Sequence, residues 1–414
     1  MTHALRASAL GPAFDLLAAY AAPRGFFFER EGLGVAAPSL ADGLQIGAAS
    51  DLRSLARQSL RVLADIDSDS VAPMAVGALP YAAKDASLWV PRRMVGRSDD
   101  GETWLLELEG DPEGEPTAFL PERVFGDLPH EAFRAMQLSE KPAASVYAAA
   151  VASAVERIGS SDLEKVVLAR TLQVGAGRDL DARRLAHRLR AVEPHCFTFA
   201  APTGDGGRAV RTLVGASPEL LVSLRGARVR SMPLAGTAPR EGDADEDLAS
   251  AESLAASSKN REEHAIVVAA VAEVLGGFCD DLSFDAEPVL EPTANVWHLA
   301  TRFEGTLRDT SVSALDLVAE LHPTPAVCGT PEIIARAMIS ELEGFDRRAY
   351  AGPVGWVDAR GDGDWAISLR CAELEGDRAT LYAGAGIVAA SDPAGEVDET
   401  DRKFRAFLDS LRWS

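Results

Sequence analysis

Apolar positions follow two rhythms along the chain, and the switches between them mark most of its elements. From Leu52 to Ile66 they recur at helical spacing behind Asp51, which is placed to cap a first turn, so a helix is predicted there. GFFFERE (25–31) and ASLWVPRRM (86–94) are rich in aromatic and branched residues beside turn formers and read as strand edges. The acidic, turn-rich stretch RSDDGETWLLELEGDPEGEPT encloses one short run, TWLLELE, that reads as a strand between Gly, Asp and Pro breakers. PHEAFRAMQLSEKPAAS (129–145) reads as the passage into a second part.

From Ala143 the texture changes. AASVYAAAVASAVERIGSSD predicts an Ala-rich amphipathic helix closing at Gly159, followed by LEKVVLARTLQV as a strand. Further helices are expected in DLDARRLAHRLRAV, SSKNREEHAIVVAAVAEVLGGF, ALDLVAELH and PEIIARAMISELE. They alternate with strands in FTFAAPT, RTLVGAS, LLVSLRGARVRSMP and DWAISLRCAELEGDRATLYAGAGIVA. Gly226 between two apolar runs, and EGD between SLRCAEL and RATLYAG, mark hairpins. Adjacent hairpins imply antiparallel pairing, so the predicted class is α+β with extensive antiparallel sheet rather than a doubly wound parallel sheet. No fixed-period repeat is present. The expected division is residues 1–140, an N-terminal portion of the same α+β unit, and residues 141–414, the region that carries the chemistry.

Composition narrows the function. The 414 residues are 47 % hydrophobic and 25 % charged, the proportions of a folded globular chain. Acidic residues outnumber basic ones 63 to 41, a net charge of −22. That charge repels nucleic acid and anionic membrane at long range, so neither is an expected partner. A small anionic substrate stays open, because a bound metal or a few local cations can reverse the field in a pocket. Cys196, Cys279, Cys328 and Cys371 form no CxxC pair, and read as reduced, buried thiols. No run reaches the ~18 apolar residues of a membrane span, and the N-terminus lacks a clean basic–apolar–cleavage layout. A cytoplasmic protein is expected, with a monomer as the default state.

Several residues carry candidate chemistry. Gly384 and Gly386 follow a strand in GAGIVAASD, either as a tight turn or as a close backbone approach to an anionic ligand. Glu396 and Glu399 share a helix face at a spacing of three, as a solvated acidic helix start or as a pair relieved by Mg²⁺. Glu262 and Glu263 are adjacent, so only one can face a core or cleft. His264, His298 and His322 have no zinc-site spacing, and a lone histidine between Trp297 and Leu299 reads most simply as a hydrogen-bonded core residue. No GxSxG or Cys–His signature supports covalent hydrolysis. Lys165 opens an apolar strand and must be paired, snorkel or have a depressed pKa. Glu219 precedes another apolar run, where burial raises a carboxyl pKa. A lysine pushed down and a carboxyl pushed up would make a base and acid pair at neutral pH.

Taken together, KVVLAR, GASPELL, MPLAGTAPR, SSKNREEHAIVV, NVWHLAT, LHPTPAVCGTP, YAGPVGW, SLRCAEL and GAGIVAASDPAGEVDETDRK resemble, in order, the motifs of the chorismate-utilising enzymes. The likeness is dense over about residues 143–412, with GALPYAAKDASLWVP similar to the family's N-terminal portion. It implies a layered antiparallel β-sandwich with helices outside, and Mg²⁺-dependent chemistry on chorismate in a cleft. By resemblance Lys165 is the base that activates water and Glu219 the acid that protonates the departing hydroxyl, with His298 beside them at the ring. Glu263 and Glu399 resemble the metal ligands, with Glu396 a second choice. Arg370, Lys403, Tyr350 and the amides of Gly384 and Gly386 resemble carboxylate-binding groups, and Gly236 and Thr237 the pocket wall. Asn260 departs from the pattern, since many relatives have an acidic residue there, which puts the strength of metal binding in doubt.

Within the family the likeness is strongest to the isochorismate synthases, through LHPTPAVCGTP. Lys165 argues against an ammonia-using anthranilate synthase, so no glutaminase subunit is expected. Ala235 occupies the place where aminodeoxychorismate synthases carry a lysine. Salicylate synthases, which add pyruvate elimination, are the runner-up. A non-catalytic metabolite-binding relative would have lost the base, acid or metal ligands, and all are present. The downstream pathway, whether siderophore, salicylate or menaquinone, is not legible in the residues.

Overall fold

The run Phe26-Phe27-Phe28 shows how the layers are built. Phe26 and Phe28 enter a large apolar core, and Phe27 between them enters a second core on the opposite face. A strand buried on both sides reads as an unbroken apolar run because successive side chains point to opposite faces. The computed structural model describes residues 3–11, 14–68, 70–108, 136–204 and 211–412.

Two large sheets dominate. The first has 13 strands among the described residues. Its order is Gln137–Lys141, Lys165–Gly175, Arg378–Ile387, Cys371–Glu375, Arg211–Ser217, Phe197–Thr203, Phe26–Arg30, Leu33–Ala37, Arg93–Arg97, Thr103–Leu108, His3–Leu10 and Ile66–Ser68, with Gly329–Thr330 beside Lys165. The second has nine, including Leu220–Arg225, Gly363–Ile367 and Pro353–Asp358, and takes Leu44–Ala49, Met74–Ala78 and Ala86–Val90 from early in the chain. A small three-stranded sheet joins Leu234–Pro239, Val296–Ala300 and Val289–Pro292. Among the described ladders only His3–Leu10 with Ile66–Ser68 is parallel. The larger core joins side chains of both sheets, Leu168 and Phe199 from one with Val76, Val222 and Trp365 from the other. The smaller core packs helices Ala182–Val192 and Pro393–Arg412 on the first sheet, through Leu185, Leu189, Phe404 and Leu408 against Phe27, Val214 and Leu381. The fold is therefore α+β, with large antiparallel sheets layered together and helices outside. Strands from the first 108 residues enter both large sheets.

Most expected elements are present with small shifts. The first helix runs Leu52–Ala64 with Asp51 as its cap, but Ile66 lies in a strand rather than in the helix, the break falling at Asp65. Gly159 closes helix Ala144–Ile158, and Gly226 and Gly376 make their hairpins at φ of 58° and 57°. TWLLELE contains strand Thr103–Leu108. The rest of the acidic stretch beyond Leu108, and residues 129–135 of the expected passage, lie outside the described residues. Helix Ala244–Ala256 was not anticipated; its acidic first turn, capped by Asp243, hides a weak apolar stripe. All four cysteines are buried and free.

Strand Lys165–Gly175 is held by a buried charge pair. Gly329–Thr330 pairs with its first two residues, and Gln137–Lys141 with it from Thr171 onward. In the gap Val167 N–H donates to Cys328 O at 2.7 Å, and side chains take the next groups: Ala169 N–H donates to Glu343 Oε1 at 2.8 Å, and Arg347 Nη2 donates to Val167 O at 2.8 Å. Arg347 also donates to Val327 O at 2.6 Å and to Glu343 Oε2 at 2.9 Å. Both side chains are almost wholly buried. The pair thus stands in for a missing length of strand. Breaking a buried pair leaves one uncompensated charge, so Arg347→Met is expected to lower stability by about 3–5 kcal/mol. Denaturant unfolding measures this; a loss below ~1 kcal/mol would mean that the gap tolerates an unpaired carboxylate.

Candidate active site

A cleft opens where the two large sheets and the small sheet meet. Glu219 stands before strand Leu220–Arg225, Thr237 on strand Leu234–Pro239, and His298 on Val296–Ala300. Gly384 and Gly386 belong to strand Arg378–Ile387, and Glu399 and Lys403 to the helix Pro393–Arg412. Glu263, Gly236, Tyr350, Arg370 and Ala235 complete the polar side and part of the wall. Lys165 lies just behind the lining. The sequence reading missed the apolar wall, Val167, Leu234, Val327 and Leu369, because nothing separates such residues from core before the fold is known.

Lys165 is fully buried, and its Nζ is 3.0 Å from Glu263 Oε1. The ion pair is short but poorly aligned, so Nζ has no hydrogen-bond partner. Of the three options for this lysine, the structure shows pairing. Glu263 is buried and Glu262 exposed, as adjacency on a helix requires. Glu219 is the other half of the expected acid–base pair. Burial raises its pKa to about 8, against the opposing pull of Lys165, the Leu234 amide and Lys403. It therefore keeps its proton at neutral pH.

The two cleft glycines are not in a turn. Both lie inside a strand, so the tight-turn reading is corrected, and close approach explains them. A Cβ on Gly386 would stand 2.0 Å from Glu263 Oε1 and 3.0 Å from Lys165 Cε. One on Gly384 would stand 2.9 Å from the Tyr350 hydroxyl. Gly236, at φ 77°, faces Asn260 at 3.0 Å in the same construction. Asn260 itself donates to Ser257 Oγ at 2.9 Å, tying it to the helix cap.

Arg370 is held from behind. Its backbone takes a left-handed φ of 48°, a costly conformation for a side-chain-bearing residue that surrounding structure must enforce. Its Nη2 is 2.8 Å from His298 Nε2, and His298 Nδ1 is 3.1 Å from Gly236 O. Read together, Nδ1–H donates to the carbonyl and Nε2 accepts from the guanidinium, so the ring is neutral. Burial, then Arg370 and Lys403, push its pKa well below the usual histidine value. With both nitrogens engaged, His298 holds the Arg370 guanidinium in place. Arg370 Nη1 is buried without a hydrogen-bond partner. That cationic nitrogen thus adjoins the cleft, which suits an anionic ligand. The other two candidate histidines are core residues, His264 bonded to Thr301 Oγ1 at 2.7 Å and His322 donating to Tyr81 O at 3.0 Å.

A scan of known families matches residues 79–412 to the family described as chorismate binding enzyme. The Mycobacterium tuberculosis protein provisionally named isochorismate synthase MenF is 44 % identical over 351 residues, spanning 82 % of this chain and 87 % of that one. Isochorismate synthase DhbC of Bacillus subtilis is 40 % identical over 342 residues, 82 % of this chain and 81 % of that one. The chain belongs to the chorismate-binding enzyme family. The fold agrees: the solved structure of the menaquinone-specific isochorismate synthase MenF of Escherichia coli superposes at a TM-score of 0.82, with 24 % identity, over 99 % of this chain and 94 % of that one.

The divalent cation expected from the resemblance would rest on Glu263 and Glu399, with Glu396 the second choice. Their oxygens are the hard donors Mg²⁺ prefers. As they stand, each is paired to its own lysine: Glu263 to Lys165 at 3.0 Å, Glu399 to Lys403 at 2.5 Å and Glu396 to Lys259 at 2.5 Å. Among the described residues no three His, Cys, Asp or Glu side chains are gathered as a metal cluster. Mg²⁺ commonly takes only one or two protein carboxylates and fills its shell with water and substrate. Glu263 and Glu399 both line the cleft and fit that role, whereas Glu396 lies outside the lining. Burial and the nearby Glu399 push the Glu396 carboxyl up. For Glu399, burial is outweighed by Lys403, Lys259 and a hydrogen bond from Thr237, and its pKa lies below the usual value. Lys403 also donates to Gly384 O at 2.8 Å. Gly386→Ala should drive Glu263 from Lys165 and cut turnover of chorismate by about 10²-fold while circular dichroism stays native; near-normal turnover would show that the pair can shift without loss.

Proposed function

We propose that the protein is an isochorismate synthase: chorismate and water give isochorismate, reversibly, without release of pyruvate. The observation that carries this reading is Glu219, a buried carboxyl that holds its proton near pH 7 beside the cleft behind which the Lys165 amine is buried. The named relatives in siderophore and menaquinone routes support it.

In this reading Lys165 takes a proton from water as the oxygen bonds to C2 of the ring. The two ring double bonds each shift by one position, the C4–O bond breaks, and Glu219 gives its proton to the departing hydroxyl, which leaves as water. The step uses Lys165 as a free amine and Glu219 as a protonated acid, and burial of Glu219 favours the second. Arg370, held by His298, binds a substrate carboxylate, and the amides of Gly384 and Gly386 border it. Mg²⁺, held by Glu263 and Glu399, would supply a positive anchor for the ring carboxylate. Ala235 gives no amine on the wall that could attack the ring.

Lys165→Ala and Glu219→Ala should each lower turnover by roughly 10²-fold or more, with chorismate binding retained in at least one. Wild-type turnover in Lys165→Ala would remove the water-activation role. Because Glu219 acts in its protonated form, turnover should fall as pH rises through about 8, and Glu219→Gln should flatten that limb as well as lower the rate. A limb unchanged in Glu219→Gln would assign it elsewhere. EDTA should abolish activity and Mg²⁺ restore it; full activity in metal-free buffer would reject the metal. Products from purified protein, chorismate and Mg²⁺ decide the reaction: stoichiometric pyruvate with salicylate would move the assignment to salicylate synthase.

A further inference from the structure

Lys259 has no part in the chemistry above. It lies in the first turn of helix Ser258–Phe278, four residues before Glu263, so the two share a helix face. Its Nζ donates to Glu396 Oε1 at 2.5 Å across to helix Pro393–Arg412. That second helix presents Glu396, Glu399 and Lys403 at spacings of three and four. Glu263 lies one helical turn beyond Lys259, and Glu399 one turn beyond its partner Glu396, so one ammonium stands beside a row of three carboxylates.

The neighbouring lysines are less free to leave. Lys165 is fully buried, and Lys403 is anchored on Gly384 O as well as on Glu399. Lys259 keeps 29 % of its side chain exposed and has a flexible four-carbon stem that can carry its head into water. We propose that Lys259 is a displaceable internal counter-cation, which neutralises the Glu263–Glu396–Glu399 face in the metal-free protein and swings away when a divalent cation binds there. The proposal rests on the metal reading above. Two cations on one set of carboxylates repel each other, so each weakens the other's hold. Lys259 then sets how much metal the cleft requires. It also leaves Glu396, too far outside the lining to be a resting ligand, free to turn inward once its partner departs.

The test is Mn²⁺ alone titrated into the purified full chain, with free Mn²⁺ followed by electron paramagnetic resonance. Lys259→Met keeps the bulk of the stem and removes the charge, and Lys259→Gln serves if that variant fails to fold. At least tenfold tighter Mn²⁺ binding than wild type is expected. The metal-free variant should melt at a lower temperature and gain more on Mn²⁺ addition than wild type does. Adding Glu399→Gln to Lys259→Met should abolish the binding; retained binding would place the ion elsewhere and overturn the proposal. Wild-type binding with equal or weaker binding in the Lys259 variants would overturn the role of Lys259 and leave the metal reading standing. Binding by none of the proteins would overturn both.

Discussion

Crowding of carboxylates is the constraint on which this cleft depends. Glu219, Glu263 and Glu399 face one small space in a chain that already carries a net charge of −22, with Glu396 close behind. Ionised together and unpaired they could not remain buried. The structure resolves this in two ways. Glu219 keeps its proton, and each of the other three is set against a lysine. The three lysines around the cleft can be understood from this need, and the same need makes the site receptive to a cation.

The scaffold serves that arrangement by fixing backbone rather than side chains. Strand Lys165–Gly175 must bring its first residue to the back of the cleft without a full neighbouring strand along its edge. The Glu343–Arg347 pair satisfies the amide and carbonyl left open there, and Arg170 ties the same strand to helix Pro393–Arg412 through Thr400, Asp401 and the ring face of Phe404, and to helix Ala144–Ile158 through the ring of Tyr147. The helix that carries Glu399 and Lys403 is thus locked to the strand that carries Lys165. Two buried guanidinium groups thus hold Lys165 in register with Glu399 and Lys403.

Much of this was legible in the residues. The hairpins at Gly226 and Gly376, the cap at Asp51 and the antiparallel class follow from turn chemistry and period. The motifs that resemble the chorismate-utilising enzymes point to twelve residues that line or adjoin the cleft, Lys165 among them. What stayed hidden depends on tertiary geometry. The role of His298 rests on which atoms its two nitrogens meet, and no spacing reveals Arg370 behind it. Gly384 and Gly386 look like a turn until the Glu263 and Tyr350 side chains are seen pressed against a strand. Lys259 reads as an ordinary surface lysine because its partner, Glu396, lies on another helix far along the chain. Helix Ala244–Ala256 escaped because its polar face outweighs its apolar one.

The sheet order also governs how the molecule is assembled. Strand Arg378–Ile387 lies between Lys165–Gly175 and Cys371–Glu375, with Val166 facing Ile387 across the ladder. A chain emerging from the ribosome therefore makes the strand of the catalytic lysine long before its central partner exists. Through that interval an unpaired, apolar strand edge stays open, the kind of edge that invites pairing with another chain. Gly384 and Gly386 lie in that late-made strand, so the segment that closes the sheet beside Lys165 also supplies one wall of the cleft.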